Sequence, residues 1–158
     1  MTENSLLERA TRFVCALRHC QVLGITVHEA SDTGMTLLLP YAAGIVGDPE
    51  TGVIHGGALT SLMDTACGMA TLCVLPEFEV CPTLDLRIDY MHPAAPHQPV
   101  YGFAQCYRVT ADVIFTRGFA YQDDPQQPIA HVVGTFMRMG KLLKGAQRLS
   151  ATLDGDQA

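Results

Sequence analysis

The longest stretch of helical periodicity in the chain follows a pair of glycines at positions 56 and 57. Apolar residues recur there at intervals of three and four positions, at Leu59, Leu62, Met63, Ala66, Met69, Ala70 and Cys73. Small residues fill most of the other positions, and Asp64 is the only charged residue between His55 and Glu77. A helix that is apolar on all faces is typically buried, so this pattern predicts a central helix that ends before Pro76.

The segments before this helix predict one packing helix and two strands. A capping-box spacing at residues 5–8 is followed by apolar residues at helical spacing as far as about His19. Residues 25–30 and 35–39 are extended runs that a turn separates. Residues 40–54 are rich in glycine and proline, and we expect them to form a loop.

Four extended runs follow the helix, at residues 83–91, 100–109, 113–121 and 129–139. The first of them alternates apolar and polar side chains, which is typical of a strand with one buried face. Because turns and loops join the four runs in order, we expect a meander, and one face of its sheet must cover the apolar helix. The sequence therefore predicts an α+β fold, with an antiparallel sheet wrapped around one central helix and an extra helix at the N-terminus.

Composition and charge exclude several classes of function. The chain has 158 residues, and its net charge of −6 argues against nucleic acid, which requires a positively charged surface. Only 16% of the residues are charged, below the usual value of roughly 25%, which favours a surface buried against another copy of the chain. The six cysteines form no CxxC pair, and the histidines lack the spacing of metal ligands. No apolar run is long enough to cross a bilayer and the start does not resemble a signal peptide, so we expect a cytoplasmic protein without a membrane partner.

Asp64 and the glycine pair are the residues that most directly suggest chemistry. An aspartate in a buried helix is costly because its charge is removed from water, and no lysine or arginine lies within helical reach of it. Such a residue is either paired with a distant cation or retained for a reaction. Gly56 and Gly57 begin the helix, where free backbone N–H groups can stabilise negative charge on a carbonyl oxygen. A tight turn is the alternative explanation for the two glycines.

Three spaced motifs connect these residues to a known family. They are His55-Gly56-Gly57-x4-Leu62-x-Asp64, then Thr83-Leu84-Asp85-Leu86-x3-Tyr90-Met91-x-Pro93, and finally Gly134-Thr135-Phe136. Their spacing resembles the hotdog-fold acyl-CoA thioesterases, and within them the phenylacetate-degradation (PaaI-like) group, over about residues 25–140. The resemblance implies a hotdog thioesterase domain at 25–144. The N-terminal helix occupies 1–24 in this division, and residues 145–158 lack apolar periodicity, which predicts a flexible tail. It also implies that the protein hydrolyses acyl-CoA thioesters to the free acid and coenzyme A.

The resemblance implies a role for four positions in catalysis. The Gly56 position donates its backbone N–H to the thioester carbonyl, and the Asp64 position is either the nucleophile or the general base that activates water. In that family the partner subunit contributes the carboxylate, which implies a homodimer and, as a larger assembly, a homotetramer. The Thr83 position helps to hold the water or the substrate. His55 is similar to a histidine that orients the oxyanion donor, with direct proton transfer as the alternative.

Further contacts with the acyl-CoA substrate are expected at the helix N-terminus, in the preceding loop and near the C-terminus. Gly57 adjoins the oxyanion donor. The family commonly has an asparagine three residues before the glycine at Gly52, where this chain has Pro49. Asp48 lies one residue further away, so it is the candidate contact in a loop that is one residue longer. A basic cluster near the C-terminus, formed by Arg138, Lys141 and Lys144, is the candidate for binding the phosphates of coenzyme A. The alternative interpretation of this cluster is a solvated chain end.

Two other functions on the same fold are alternatives to hydrolysis. A non-catalytic module that binds or senses acyl-CoA would gain nothing from a buried, unpaired carboxylate. A hydratase or dehydratase would resemble an Asp-x5-His arrangement, which neither Asp48 nor Asp64 provides. A thioester is already activated, so a water, a carboxylate and an oxyanion site are sufficient, and no cofactor or metal is implied. The sequence does not identify the acyl group.

Overall fold

The computed structural model describes residues 3–139, and this part of the chain forms three α-helices and eight strands. The helices are α1 (Glu3–Ala16), α2 (Arg18–Leu23) and α3 (Gly56–Ala70). The strands are β1 (Thr26–Ser31), β2 (Gly34–Leu39), β3 (Val46–Asp48), β4 (Val53–Ile54), β5 (Thr83–Tyr90), β6 (Val100–Val109), β7 (Val113–Tyr121) and β8 (Ala130–Met137). Short 3-10 turns lie at Ala43–Ile45 and Thr71–Cys73. The predicted α+β class, with an antiparallel sheet around a central helix, is confirmed.

Six strands form one antiparallel sheet in the order β1-β2-β6-β7-β8-β5. The predicted meander is correct for β6, β7 and β8 but wrong for β5, which pairs with β8 instead of β6. The segment at 91–99 joins β5 to β6, and β7 and β8 lie between these two strands in the sheet. It is long enough to span them, because three strand spacings measure about 14 Å and nine residues reach about 30 Å. As a result β5 lies at one edge of the sheet, next to β8.

Helix α3 packs against the inner face of the sheet. Leu62, Met63 and Ala66 are fully buried there, as the periodicity predicted. The helix approaches β6 closely at Gly102, where an added Cβ would lie 2.9 Å from the side chains of Leu62 and Met63. A residue without a side chain is therefore needed at Gly102 for the helix to sit at this depth. Within residues 3–139, no helix has both the length and the hydropathy that crossing a lipid bilayer requires.

The N-terminal segment forms two helices instead of the single helix expected to about His19. The backbone of Leu17 is extended, with φ −80° and ψ 108°, and this one-residue break separates α1 from α2. The break redirects the chain so that Cys20 is buried, with its Sγ 4.0 Å from the Oγ1 of Thr65 on α3. α1 itself is fixed to the core by its buried apolar residues, which are Leu6, Ala10 and Val14.

The predicted loop at 40–54 contains a short hairpin, formed by β3 and β4, which leads directly into α3. Gly52 has a positive φ of 74°, a conformation that glycine adopts without strain. Its carbonyl accepts a hydrogen bond of 2.9 Å from the hydroxyl of Tyr41, and the N–H of His55 donates to the carbonyl of Ile45. These bonds hold the hairpin against the N-terminus of α3, where the glycine pair lies.

Candidate active site

The two groups predicted to act on the thioester lie at different turns of α3. Gly56 is the first residue of the helix, and Asp64 follows eight residues later. With a rise of 1.5 Å per residue, the two positions are about 12 Å apart along the helix axis. The helix therefore presents an N–H donor at its end and a carboxylate near its middle.

The side chains of Asp64 and Thr83 are in direct contact. The hydroxyl of Thr83, at the start of β5, donates a hydrogen bond of 2.8 Å to Oδ1 of Asp64. Asp64 is half-buried, and it makes no ion pair with any residue of the described chain. Among the described residues, the carboxylate is thus oriented by a neutral donor and is not neutralised by a cation. Its Oδ2 has no hydrogen-bond donor within residues 6–139.

The N-terminus of α3 is capped by the side chain of His55. This residue has an extended backbone, with φ −62° and ψ 134°, and its Nδ1 accepts a hydrogen bond of 2.9 Å from the N–H of Gly57. The N–H of Ala58 donates to the carbonyl of His55. The N–H of Gly56 makes no hydrogen bond within the described residues, so it is the open donor of this turn. The geometry gives His55 a positioning contact, and its part in catalysis stays a prediction.

Tyr90 holds the carbonyl of Gly56, a contact that was not predicted from the sequence. Its hydroxyl lies 2.8 Å from that oxygen and 2.7 Å from the Oγ1 of Thr60, which is itself 3.1 Å from the same oxygen. β5 therefore contacts α3 twice, through Thr83 at Asp64 and through Tyr90 at Gly56. The alternation along β5 placed Tyr90 on its apolar face, but the pattern contains no signal for a hydroxyl contact with the helix.

A cavity of about 200 Å³ lies beside Asp64 and Thr83. Apolar side chains form much of its lining, and they come from α1, α3, β8 and the segment at 77–82. Phe13 of α1 and Leu17, at the break between α1 and α2, are among them, and their spacing in the sequence indicated packing only. The sequence carries no signal for this cavity because its walls come from segments that are distant along the chain.

Asp48 uses both of its carboxylate oxygens to close the turn between β3 and β4. Oδ1 accepts from the N–H of Glu50 at 3.1 Å, and Oδ2 accepts from the hydroxyl of Thr51 at 2.7 Å. These bonds, that of Thr51 foremost, lower the pKa of the Asp48 carboxyl below its usual value. Asp48 therefore stabilises the hairpin, and the predicted contact with substrate stays a prediction.

Arg138 is engaged in a partly buried ion pair with Glu79. Its Nε and Nη2 donate to the carboxylate of Glu79, and its Nη1 donates to the carbonyl of Thr110 at 3.1 Å. The hydrogen bond with Glu79 raises the pKa of the Arg138 guanidinium. The pair fixes the segment at 77–82 to the end of β8. Lys141 and Lys144, the other predicted phosphate-binding residues, lie outside the described residues, as does the predicted tail at 145–158.

The six cysteines are all free. Burial raises the pKa of Cys67 and Cys106 to about 12 and that of Cys73 to about 11. These three thiols are therefore protonated at neutral pH and are poor nucleophiles. Among residues 3–139, no group of histidine, cysteine and acidic side chains has an arrangement that could hold a metal ion.

A known family and a curated protein each match part of this chain. A family model described as the thioesterase superfamily matches residues 51–129, a range that includes Gly56, Asp64 and Thr83. A curated protein of Halobacterium salinarum, which carries a provisional esterase name, is 39% identical over 75 residues. The match covers 46% of this chain and 50% of that protein, so the chain spans about half the length of the curated relative it matches.

Two solved structures extend the comparison. The crystal structure of a Pseudomonas aeruginosa protein is 75% identical and has a TM-score of 0.79, covering 85% of this chain and 99% of that one. The E. coli PaaI protein from the phenylacetic acid degradation operon has a TM-score of 0.75, covering 89% of this chain and 97% of that one. It is 17% identical, so this likeness concerns the fold alone.

Proposed function

The chain belongs to the thioesterase superfamily, and from that premise we propose that it hydrolyses acyl-CoA thioesters to the free acid and coenzyme A. The family supports thioester hydrolysis in general. The observation that carries the proposal is the state of Asp64, a half-buried carboxylate that is oriented by Thr83 and lies beside an apolar cavity. A domain that only binds its ligand has no use for such a group, because burying a charge without a cation costs stability.

The geometry supports a simple reaction. The N–H of Gly56 donates a hydrogen bond to the thioester carbonyl oxygen. This bond stabilises the negative charge that develops on that oxygen during the reaction. Asp64 can act in two ways, either as the nucleophile or as the general base. In one, its carboxylate attacks the carbonyl carbon, coenzyme A leaves as the thiolate, and water then opens the resulting anhydride. In the other, the carboxylate takes a proton from a water whose oxygen attacks the carbonyl carbon, and the C–S bond breaks as the thiolate leaves.

The distance along α3 supports a site that is shared between two copies of the chain. A carbonyl that is bound by Gly56 and attacked directly by Asp64 requires the two groups to lie within about 7 Å of each other, the sum of a hydrogen bond, the C=O bond and the attack distance. A water between the carboxylate and the carbonyl carbon extends this to about 10 Å. Within one chain they are about 12 Å apart along the helix axis. We therefore assign Gly56 to one subunit of a site and the carboxylate to the partner's Asp64.

The edge strand β5 is the surface that fits such a pairing. One side of its backbone has no neighbouring strand in the described chain, and large apolar side chains near it are half exposed, namely Leu84, Tyr90 and Met91. An edge of this kind is a template for pairing with another strand. A second copy of β5 would cover the edge and bring two α3 helices to adjacent positions. A further pairing into tetramers and the cytoplasmic location stay predictions.

The expected effect of the basic cluster is confined to substrate affinity. Coenzyme A carries several phosphate charges and the chain has a net charge of −6, so a local positive patch must offset the repulsion. Changing Lys141 and Lys144 together to glutamine is expected to raise KM for acyl-CoA and to leave kcat nearly unchanged. Steady-state kinetics at low and high salt check this, and the increase in KM should shrink at high salt.

Two controls make the result specific to the nucleotide. An acyl thioester that lacks the nucleotide should show the same KM with both proteins. The variant Arg108→Gln, which removes one charge from an exposed position of β6, should leave KM unchanged. A KM for acyl-CoA that the double variant does not change at low ionic strength would identify the cluster as a solvated chain end.

The proposed function is tested by incubating the purified protein with short, long and aromatic acyl-CoA thioesters. Cys15 is exposed and would itself react with reagents that detect free thiols, so the released acid should be measured by chromatography. Multiple turnovers with at least one thioester are expected. Binding without release of acid would instead support the non-catalytic module, and the absence of both would overturn the proposal.

A further inference from the structure

We propose that Phe13, on the N-terminal helix α1, forms the wall of the acyl pocket and limits the enzyme to compact acyl groups. This inference rests on the proposed function and adds a substrate size to it. α1 lies outside the range 51–129 that the family model matches, so the wall is supplied by a segment that the family assignment does not describe.

The cavity is positioned to receive the acyl group. Asp64 and Thr83 line the same cavity as Phe13 and Leu17. A thioester carbonyl at the carboxylate of Asp64 therefore has its acyl substituent beside this cavity. The apolar lining favours a hydrocarbon substituent, which is removed from water on binding.

The size of the cavity sets the size of the group. A cavity of about 150 Å³ with apolar walls is large enough to bind benzene. The cavity beside Asp64, at about 200 Å³, therefore holds one aromatic ring with a short linker or an alkyl chain of similar volume. A chain of twelve or more carbons exceeds this volume, so part of it has to leave the cavity or displace a wall.

The wall formed by Phe13 is held from two sides. Its ring lies against the ring of Phe78, with centroids 5.7 Å apart and the planes tilted by 55°. Buried residues of α1 fix the helix that carries Phe13, and the ion pair between Glu79 and Arg138 fixes the segment that carries Phe78. The same pair gives the Glu79 carboxylate a cation, so the acid in the cavity lining does not oppose an apolar ligand.

Two variants change the cavity in opposite directions. Phe13→Ala removes a ring and lengthens the cavity toward α1, whereas Leu17→Phe adds volume to its lining. Phe119→Ala is the matched control, because it removes the same ring from β7, where Phe119 packs against Phe103 and does not line the cavity. Melting temperatures of all three report whether each variant is folded.

The test compares hexanoyl with dodecanoyl substrates in full-length protein. For turnover, the measured quantity is the ratio of kcat/KM for dodecanoyl-CoA to that for hexanoyl-CoA. For binding, it is the ratio of Kd values for the two corresponding alkyl-CoA thioethers, which cannot be hydrolysed. We expect Phe13→Ala to raise the preference for the longer chain about tenfold or more, the scale of methylene discrimination in an apolar pocket. Leu17→Phe should lower it, and Phe119→Ala should leave it unchanged.

The two measurements separate this inference from the proposed function. If the wild-type protein hydrolyses neither substrate but the thioether affinities change as expected, the pocket wall is supported and the hydrolytic function is wrong. If the wild type hydrolyses hexanoyl-CoA, and if the kcat/KM ratio and the Kd ratio in Phe13→Ala both equal the wild-type values, the assignment of the wall is overturned. A wild type that binds neither thioether, or that prefers the longer one, would also overturn it.

Discussion

Replacing Asp64 with asparagine is expected to lower kcat by at least about a hundredfold, the scale for losing a positioned acid–base group. Asparagine has nearly the same shape as aspartate, and its amide oxygen can still accept the hydrogen bond from Thr83. It cannot act as the nucleophile or take a proton from water. We therefore expect the melting temperature and the Kd for an acyl-CoA thioether to stay close to those of the wild type.

Steady-state kinetics with the best acyl-CoA substrate check this expectation. The control is Asp123→Asn, which removes the same charge from an exposed turn that is not part of the cavity beside Asp64. It should leave kcat unchanged. Turnover near the wild-type rate in Asp64→Asn would remove this carboxylate from the reaction.

Replacing Gly56 with proline is expected to lower kcat by about 10²- to 10³-fold, the usual loss for one oxyanion donor. Proline lacks the N–H group, and the first position of a helix is the one where it is best tolerated. The preceding residue is compatible with proline as well, because the ψ of His55 is 134° and extended backbone is favoured before proline. The substitution thus removes the donor at a position where the helix can still form.

The matched control at this position is Gly56→Ala, which adds a Cβ and keeps the N–H. That Cβ would lie 3.4 Å from the hydroxyl oxygen of Tyr90, an ordinary contact, so we expect the fold to be retained. The Cβ still crowds the approach of a carbonyl, so alanine should lower kcat less than proline does. Kinetics and melting temperatures of both variants measure the difference. A proline variant that is folded and has the wild-type kcat would show that this N–H is not the oxyanion donor.

The secondary structure was predicted well where the periodicity is long and strong. The buried helix at α3 and the bounds of β6 and β7 follow directly from the spacing of apolar residues. The position of β5 was predicted wrongly, because sheet order depends on pairing between distant segments, and the period of a strand carries no information on its neighbour. The break at Leu17 was missed for a similar reason, since the packing of Cys20 against α3 is a tertiary contact.

Some residues of the candidate site could be predicted from the sequence, and others depend on tertiary contacts. Asp64 stands out in the sequence as one charge in an apolar helix, and Gly56 stands out as part of a glycine pair at its start. Thr83 was identified only through the family resemblance, and the structure brings it to the carboxylate. The cavity wall at Phe13 could not be predicted, because its partner Phe78 belongs to a segment without periodicity that is distant from Phe13 along the chain.

Mixing two inactive variants is the most direct test of a thioesterase site shared between copies. When Asp64→Asn and Gly56→Pro chains are unfolded and refolded together, each mixed dimer combines the intact glycine of one chain with the partner's Asp64. Half of the dimers are mixed and one of their two sites is intact, so activity should return to about a quarter of the wild-type value. Activity that does not exceed the average of the two parents, in a sample where mixed dimers have been demonstrated by mass spectrometry, would contradict the shared site.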